Sequence, residues 1–413
     1  MEKIKIETYI LSHLKGILKP PTKNLKHPFI VPGTGYLTEL WSWDAYWEAL
    51  SIKRAFELFG EETMNRAGIS KQTAVEHIRG CVLDFLDAQE EDGFIPIMVS
   101  VGGLFEGFFH SEHEKGTPLN QCLPFLCQFA LLAGEFSGRF DFDTEKLIKY
   151  MQYFETRQYD EKSGLYFWQD DIMIGIDNNP TVFYRPKRSG ADLFLNSFIY
   201  LEYTALAELL EKSYDSRAAD ARQKAEKLRS AINAEMWDER DGIYYSQDIG
   251  FYQTKCVVKG VALHSGLAPH WKTMPLKIRF WACFLPMYAG ICDEVRAERM
   301  CRHLRENDDL FAKYGIRTLA KNEKMYSLVK SPGNPSNWLG AIWTIANYCV
   351  YKGLDRYGKR ELAEKLREAT LDLLDKNLKE YGDFFESYHP DTGEPFMHAG
   401  FLSHNLPAID LLK

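Results

Sequence analysis

Three features are missing from this sequence, and each absence excludes a class of protein. No basic tract appears in a chain of net charge −8, which argues against a nucleic-acid or acidic-membrane partner. None of the eight cysteines belongs to a Cys-x-x-Cys pair, so we expect no disulfide framework or zinc site and assign no metal or cofactor. No apolar run approaches about 20 residues, so we expect no membrane-spanning helix.

Signals for secretion and for division into domains are also missing. The first 16 residues lack the apolar core and small-residue cleavage site of a signal peptide. No linker rich in Pro, Gly or Ser divides the chain. We therefore expect a cytoplasmic protein with a single domain over residues 1–413, and its oligomeric state stays open.

Helical periodicity dominates what is present. The chain has 413 residues, 45% of them hydrophobic, which is enough for a large core. Apolar residues recur at spacings of three and four along two stretches, which predicts two helices. The first covers residues 44–60 and ends at Gly60, and the second covers residues 70–89 and begins with a Ser cap. The same pattern predicts helices at 118–136, 144–158, 191–212, 217–236, 255–267, 275–289, 294–306, 338–352, 360–378 and 404–412. About twelve helices with few strands make an all-α fold.

A weak repeat indicates how these helices are arranged. The stretches 159–171 (YDEKSGLYFWQDD) and 237–249 (WDERDGIYYSQDI) each follow a long helix and share an aromatic-Asp start and a later Gly-aliphatic-aromatic run. Recurring connectors between helices suggest stacked helix pairs. Six pairs could close into a double ring, an (α/α)6 barrel, with an open solenoid as the alternative. Non-helical insertions near 92–117 and 165–190 are predicted to be functional loops.

Candidate site residues cluster in four stretches. In the first, Trp41 and Trp43 flank Asp44 at the start of a helix; a carboxylate beside indoles can bind sugar hydroxyls, although it could simply favour the helix N-terminus. In the second, Gly190 leads into a helix whose first turn holds Asp192. Two cations precede that helix, Arg185 and Arg188. They could lower the pKa of the acid or bind an anionic part of a ligand.

The remaining two stretches lie in the C-terminal part. Glu386 stands between Phe385 and Tyr388, just before a turn. Apolar surroundings raise the pKa of a carboxyl group, and a glycosidase needs one protonated and one ionised carboxyl. A closed ring would bring Glu386 to the same mouth as Asp192. Residues 331–354 offer Asn334 in a loop and Trp338 as a stacking platform.

Together these stretches resemble the clan of (α/α)6 glycosidases that contains trehalases and glycoside hydrolase family 63. The resemblance rests on motifs in the same order along nearly the whole chain: WSWDAYW (41–47), RSGAD (188–192, with Ala191 where the clan has Met), YGIRTLAKNEKMYS (314–327), NPSNWLGAIWTIANYCVYKGL (334–354) and FESYHPDTGEP (385–395). It implies that Asp44 binds the sugar, that Asp192 is the general acid and that Glu386 is the general base.

A narrower resemblance is to the bacterial mannosylglycerate and glucosylglycerate hydrolases of that family. It implies an inverting α-glycosidase with a small carbohydrate substrate, and a carboxyl separation of roughly 6.5–9.5 Å. Tyr36, Gln121, Arg185 and Arg188 are then candidates for binding the sugar hydroxyls or an acidic aglycone. His404 stands where these relatives suggest Trp.

Two other functions fit the same fold. Sugar epimerases and isomerases use histidines as acid and base, and His264, His398 and His404 could converge on the ring mouth. A toroid that binds carbohydrate without turnover is the other alternative. An isomerase would leave the glycosidic bond intact, so product analysis separates it from a hydrolase.

Overall fold

The computed structural model describes residues 2–250, 257–262, 270–306, 308–329 and 336–412. Helices dominate these residues. The α-helices are α1 (Glu2–His13), α2 (Ser42–Arg66), α3 (Lys71–Asp87), α4 (Leu104–Glu114), α5 (Leu126–Ser137), α6 (Thr144–Arg157), α7 (Leu193–Lys212), α8 (Ala218–Ala231), α9 (Leu285–Tyr288), α10 (Glu294–Arg305), α11 (Thr344–Arg356) and α12 (Arg360–Glu380). Three 3-10 helices cover Leu14–Ile17, Trp281–Phe284 and Leu406–Leu411, and a π-helix covers Ile232–Met236.

The strands are all two or three residues long in the described part of the chain. They are β1 (Leu18–Lys19), β2 (Phe29–Ile30), β3 (Glu39–Trp41), β4 (Met98–Ser100), β5 (Tyr159–Asp160), β6 (Leu165–Tyr166), β7 (Gly190–Ala191), β8 (Trp237–Asp238), β9 (Ile243–Tyr244), β10 (Gln247–Asp248), β11 (Val257–Val258), β12 (Val261–Ala262), β13 (Met274–Pro275), β14 (Phe311–Ala312) and β15 (Gly315–Ile316). Strands β13, β10 and β7 form a three-stranded sheet in that order, and the others form antiparallel pairs.

Six inner elements form a closed ring. Helix α2 packs on α5, α5 on α7, α7 on α9 and α9 on α11. The 3-10 helix Leu406–Leu411 contacts both α11 and α2, which joins the last element to the first. An open solenoid would leave these two ends apart, so the contacts establish the predicted (α/α)6 barrel.

Six outer helices surround this ring, namely α1, α3, α6, α8, α10 and α12. They are amphipathic, as α10 illustrates: it buries Ala297, Met300, Cys301 and Leu304 and turns its charged residues outward. Side chains cap several of them; the Ser70 hydroxyl accepts a hydrogen bond from the Thr73 amide at 3.1 Å, as the predicted Ser cap requires. Such a cap contributes about 1 kcal/mol to helix stability.

The sequence repeat corresponds to a repeated connector between an outer and an inner helix. After α6, strands β5 and β6 pair as a hairpin with Asp160 opposite Leu165; after α8, strands β8 and β9 pair with Asp238 opposite Ile243. Each aspartate accepts a hydrogen bond from the backbone amide three residues on, at 2.9 and 2.8 Å. These local bonds explain why the Asp and the later Gly recur.

Several predicted boundaries are corrected by the structure. The insertion near 92–117 is predicted to be non-helical, but it contains α4, which begins directly after Gly102 and Gly103, with Gly103 at a φ of 72°. The predicted helix 275–289 is formed only over Trp281–Tyr288, and 404–412 is a short 3-10 helix. The predicted stop at Gly60 is confirmed as a kink in α2, where Gly60 leaves the helical conformation with a φ of 78°, and a second helical segment follows it to Arg66. Most of the predicted helix 255–267 lies outside the described residues, and the part that is described forms the hairpin β11–β12.

One inner helix of the ring, α7, is apolar over most of its length. Within the described residues, Leu193–Lys212 is long and apolar enough to cross a bilayer, and 78% of the window concerned is buried inside the protein. This helix is α7, which packs on α5 and α8. The seven cysteines described are also buried and unpaired, including Cys122 and Cys127.

Candidate active site

A cavity of about 340 Å³ opens where the connectors of the ring meet. Four segments build most of it: the approach to α2, part of the 165–190 insertion, Ser336 and Trp343 at the approach to α11, and the chain from Glu386 to His404. Helix α4 adds Phe105 and Phe109 to the wall. Five of the residues predicted for a glycosidase site line this cavity: Tyr36, Trp41, Trp43, Asp44 and Glu386.

Asp44 lies in the first turn of α2 with its carboxyl group almost entirely buried. The N-cap of this helix is Trp41, so Asp44 does not cap it. Burial raises the pKa of Asp44 to about 7, and the nearby charges of Glu386 and Asp177 act in the same direction. One turn further, burial together with the charge of Asp44 raises the pKa of Glu48 well above its ordinary value. A neutral carboxyl at Asp44 can both donate and accept a hydrogen bond.

Glu386 is held by two side chains from distant parts of the chain. Its Oε2 atom lies 2.7 Å from His398 Nδ1 and accepts a hydrogen bond from the Tyr36 hydroxyl at 3.2 Å. The Tyr36 hydroxyl is also 2.9 Å from His398 Nδ1, which completes a triangle. The hydrogen bond to Glu386 raises the pKa of His398 above its ordinary value. Donors on one carboxylate oxygen leave the other free for a water molecule or a substrate.

Local turn chemistry presents Glu386 in this position. Tyr388 exchanges two backbone hydrogen bonds with Ile342, which ties the segment to the approach of α11. The turn at Pro390–Gly393 then reverses the chain, and a bridge between Phe385 and Ala399 sets the returning strand beside it. His398 consequently faces Glu386. The aromatic neighbours noted in the sequence, Phe385 and Tyr388, do not line the cavity. They brace the turn instead, because the Phe385 amide donates a hydrogen bond to the Tyr388 hydroxyl at 2.8 Å.

Aromatic rings form one side of the cavity. Trp43, Trp343 and Phe401 line it together with His404, whose ring lies 4.7 Å from that of Trp43. Trp338, expected to be a stacking platform for sugar, does not line the cavity in this structure. It stacks behind Trp343 with ring centres 4.0 Å apart, and so supports that ring instead.

Asp192 is fully buried and does not line the cavity in this structure. It caps α7 by accepting a hydrogen bond from the Leu195 amide at 2.9 Å. The side chains of Trp168, Asn179 and Thr181 donate to it as well, at 3.4, 3.0 and 3.1 Å. Burial raises its pKa, while these hydrogen bonds act in the opposite direction.

The 165–190 insertion separates Asp192 from the cavity. The structure bears out the prediction that this segment is non-helical. Asn178 of the insertion contacts the motif at 334–354, because its side-chain oxygen accepts a hydrogen bond from the Trp338 amide at 2.7 Å. Asp177, the preceding residue, lines the cavity and adds a third carboxyl group to Asp44 and Glu386.

The two arginines expected to meet the aglycone lie elsewhere. Arg185 forms an ion pair with Asp248, and Arg188 stands over the ring of Phe167 at 5.2 Å. Arg188 lines a separate, smaller cavity beside α6. The strand pairing of β7 with β10 brings Asp248 next to this segment, which the sequence does not reveal.

Two more residues predicted to bind the substrate, Gln121 and Gly190, do not line the cavity. Gln121 is fully buried; its side chain binds the backbone of Ile95, Gly93 and Tyr150 and so braces the core. Gly190 is a buried strand residue whose missing side chain makes room for the Thr181 carbonyl, because a Cβ there would come within 2.9 Å of it. Asn334, like His264, lies outside the described residues.

Sequence reasoning did not assign Asp177, Trp343 or Phe401 to the site. It named His398 and His404 only for the isomerase alternative, and both do line the cavity. The signal for Asp177 was its place inside an insertion already predicted to be functional. In the described part of the chain, no group of three His, Cys, Asp or Glu side chains is arranged to hold a metal ion.

Comparisons with known proteins match this architecture. A family model described as the mannosylglycerate hydrolase MGH1-like glycoside hydrolase domain matches residues 133–404. Mannosylglycerate hydrolase MGH1 of Selaginella moellendorffii is 34% identical over 113 residues. That segment covers 27% of this chain and only 20% of the Selaginella protein.

Two solved structures share the fold over most of this chain. The GH63 mannosylglycerate hydrolase from Thermus thermophilus, in complex with glucose, matches with a TM-score of 0.67 and 18% identity over 97% of this chain and 98% of that one. Neutral trehalase Nth1 from Saccharomyces cerevisiae matches with a TM-score of 0.59 and 16% identity over 94% of this chain and 73% of that one. Both likenesses concern the fold alone.

Proposed function

Because this chain belongs to the family of MGH1-like glycoside hydrolase domains, we propose that it is an inverting α-glycoside hydrolase acting on a small α-linked glucoside or mannoside. One observation carries the proposal. Glu386, oriented by Tyr36 and His398, shares a cavity with the buried Asp44 and a wall of aromatic rings. Such a cavity suits a pyranose, which offers hydroxyl groups to carboxyls and apolar faces to rings.

In the proposed reaction Glu386 is the general base. It removes a proton from a water molecule as the water oxygen bonds to the anomeric carbon, while the bond from that carbon to the leaving oxygen breaks. Asp44 binds hydroxyl groups of the sugar. The leaving oxygen takes its proton from a general acid, the role assigned to Asp192 by its motif.

Asp192 can take this role only if the insertion moves. Its carboxyl group is enclosed by Asn179 and Thr181, so those residues must withdraw before the acid reaches a glycosidic oxygen. Asp177 already lines the cavity and is the competing candidate for the acid. Variants of each residue distinguish the two, as described below.

Two classes of aglycone follow from different observations. The name of the Selaginella relative makes mannosylglycerate the first substrate to test, and the resemblance noted in the sequence adds glucosylglycerate. The wall formed by Phe105, Phe109, Ile172 and Met173 favours a neutral aglycone instead, because apolar side chains give no compensation for burying a carboxylate.

The test is release of free hexose from a panel of α-linked disaccharides, glycosylglycerates and glycosylglycerols. Hydrolysis by the wild type and its loss in Glu386→Gln support the proposal. Glu394→Gln is the matched control, because Glu394 is an exposed acid in the same turn and outside the cavity. A wild type that isomerises free sugars and leaves every glycoside intact contradicts it.

A further inference from the structure

His404 is buried in the cavity wall with both ring nitrogens unpaired. Its side chain is 2% exposed, and neither Nδ1 nor Nε2 has a hydrogen-bond partner among the described residues. The nearest carboxyl oxygen, Asp44 Oδ1, lies 3.7 Å from Nε2, which is too far for a hydrogen bond. Leaving buried polar atoms unpaired is unfavourable and rare in folded proteins, so the arrangement calls for an explanation.

The surrounding structure fixes this imidazole in place. The rings of Trp43, Phe401 and Trp343 lie 4.7, 5.1 and 5.5 Å from it, centre to centre. Its backbone is anchored too, because the Thr344 hydroxyl donates a hydrogen bond to the His404 carbonyl at 2.7 Å. The ring therefore cannot turn away to find a partner on the protein.

The same enclosure keeps the ring uncharged, because burial lowers the pKa of His404 to about 3. A neutral imidazole presents one N–H donor and one acceptor nitrogen. Asp44 stands next to it in the same wall. The pair thus presents a ring nitrogen without a partner and a carboxyl oxygen 3.7 Å from it on the cavity wall.

We infer that His404 and Asp44 together bind one hydroxyl group of the sugar whose bond is cleaved, and that His404 is a specificity-determining residue. This inference rests on the proposed function. An oxygen about 2.8 Å from both His404 Nε2 and Asp44 Oδ1 bridges their 3.7 Å gap. The hydroxyl accepts from one partner and donates to the other, which satisfies the orphaned nitrogen.

A site built to hydrogen-bond a hydroxyl strongly rejects an analogue that lacks it. The experiment therefore combines variants with substrate analogues. His404→Phe keeps an aromatic ring but removes both nitrogens, and His404→Gln keeps a donor and an acceptor. Each is assayed with the best substrate and with its series of monodeoxy analogues, deoxygenated at one sugar carbon at a time.

We expect His404→Phe to lower kcat/KM for the parent substrate about 30-fold or more. For the one monodeoxy analogue that lacks the bound hydroxyl, the loss should be much smaller. His404→Gln should keep part of the kcat/KM that His404→Phe loses. Equal losses for every analogue would mean a packing defect only and overturn the inference, as would unchanged kinetics. His77→Phe is the control, since His77 lies on α3 outside the cavity.

A binding measurement separates this inference from the proposed function. If the wild type hydrolyses nothing, the proposed function fails, and binding of methyl α-glucoside and methyl α-mannoside is measured by calorimetry instead. Tighter binding to the wild type than to His404→Phe then supports the role of His404. No binding by the wild type, or equal binding by both proteins, overturns it.

Discussion

The Nδ1 atom of His398 lies 2.7 Å from the Oε2 atom of Glu386, although the two residues are 12 positions apart in the sequence and a chain reversal lies between them. Tyr36 reaches the same oxygen from the other end of the sequence. A base must be held in the geometry of its reaction, and misplacement by about 1 Å can cost a hundredfold in rate. The hydrogen bonds of Tyr36 and His398 restrict the orientation of the Glu386 carboxylate.

Removing either support should lower turnover without unfolding the protein. We expect Tyr36→Phe and His398→Ala each to reduce kcat about tenfold, because Glu386 Oε2 loses one hydrogen-bond donor and the carboxylate gains rotational freedom. The measurement is steady-state kinetics beside thermal unfolding. Unchanged kcat in both variants would contradict a role for these residues in positioning Glu386.

The three carboxyl groups assigned to chemistry can be ranked by neutral substitutions. We expect Glu386→Gln and Asp192→Asn to lower turnover about a hundredfold or more, the lower range for acid–base catalysis. If Asp177→Asn shows that loss while Asp192→Asn keeps activity, Asp177 is the acid and Asp192 is the cap of α7. The folded state of Asp192→Asn should be checked first, because the carboxyl accepts four hydrogen bonds.

The stereochemical outcome tests how Glu386 acts. A base that activates water inverts the anomeric centre, so an α-linked substrate should first give the β-hexose. Proton NMR of the product within the first turnovers distinguishes the anomers before they equilibrate. The α-anomer as first product would make Glu386 a nucleophile.

Asp44 should lower stability at alkaline pH. Its pKa is about 7 in the folded protein and about 3.9 in the unfolded chain. Between these values the folded state binds the extra proton, so the free energy of unfolding falls as the pH rises towards 7. Glu386, Asp177, Glu48 and His404 surround this group.

The corresponding variant should separate stability from activity. We expect Asp44→Asn to raise the melting temperature by a few degrees at pH 8, where the wild-type carboxyl is ionised, and by a clearly smaller amount at pH 5. The same variant should lose activity, because the sugar loses a carboxyl contact. A melting temperature that changes equally at both pH values would show that Asp44 does not titrate as described.

Local features could be predicted wherever neighbouring residues decide the structure. The Ser70 cap, the stripe of α10 and the paired hairpins at Asp160 and Asp238 depend on contacts within a few residues. Helix α4 was missed because it follows two glycines and because Leu104 and Phe108 are exposed while Phe105 and Phe109 line the cavity, so its apolar residues form no single buried stripe. Arg188 was misjudged because a cation close to a motif in sequence can point to another face of the protein.

The sequence by itself determined the helical pairs, their connectors and the carboxyl candidates Asp44, Asp192 and Glu386, because periodicity, turn chemistry and motif order are local properties of the chain. Only the tertiary structure decided which side chains share the cavity. Ring closure brings Tyr36 to His398 across 362 positions, and the fold of the 165–190 insertion turns Asp177 inward while it covers Asp192. Distances of this kind depend on packing between remote segments, which no pattern in neighbouring residues records.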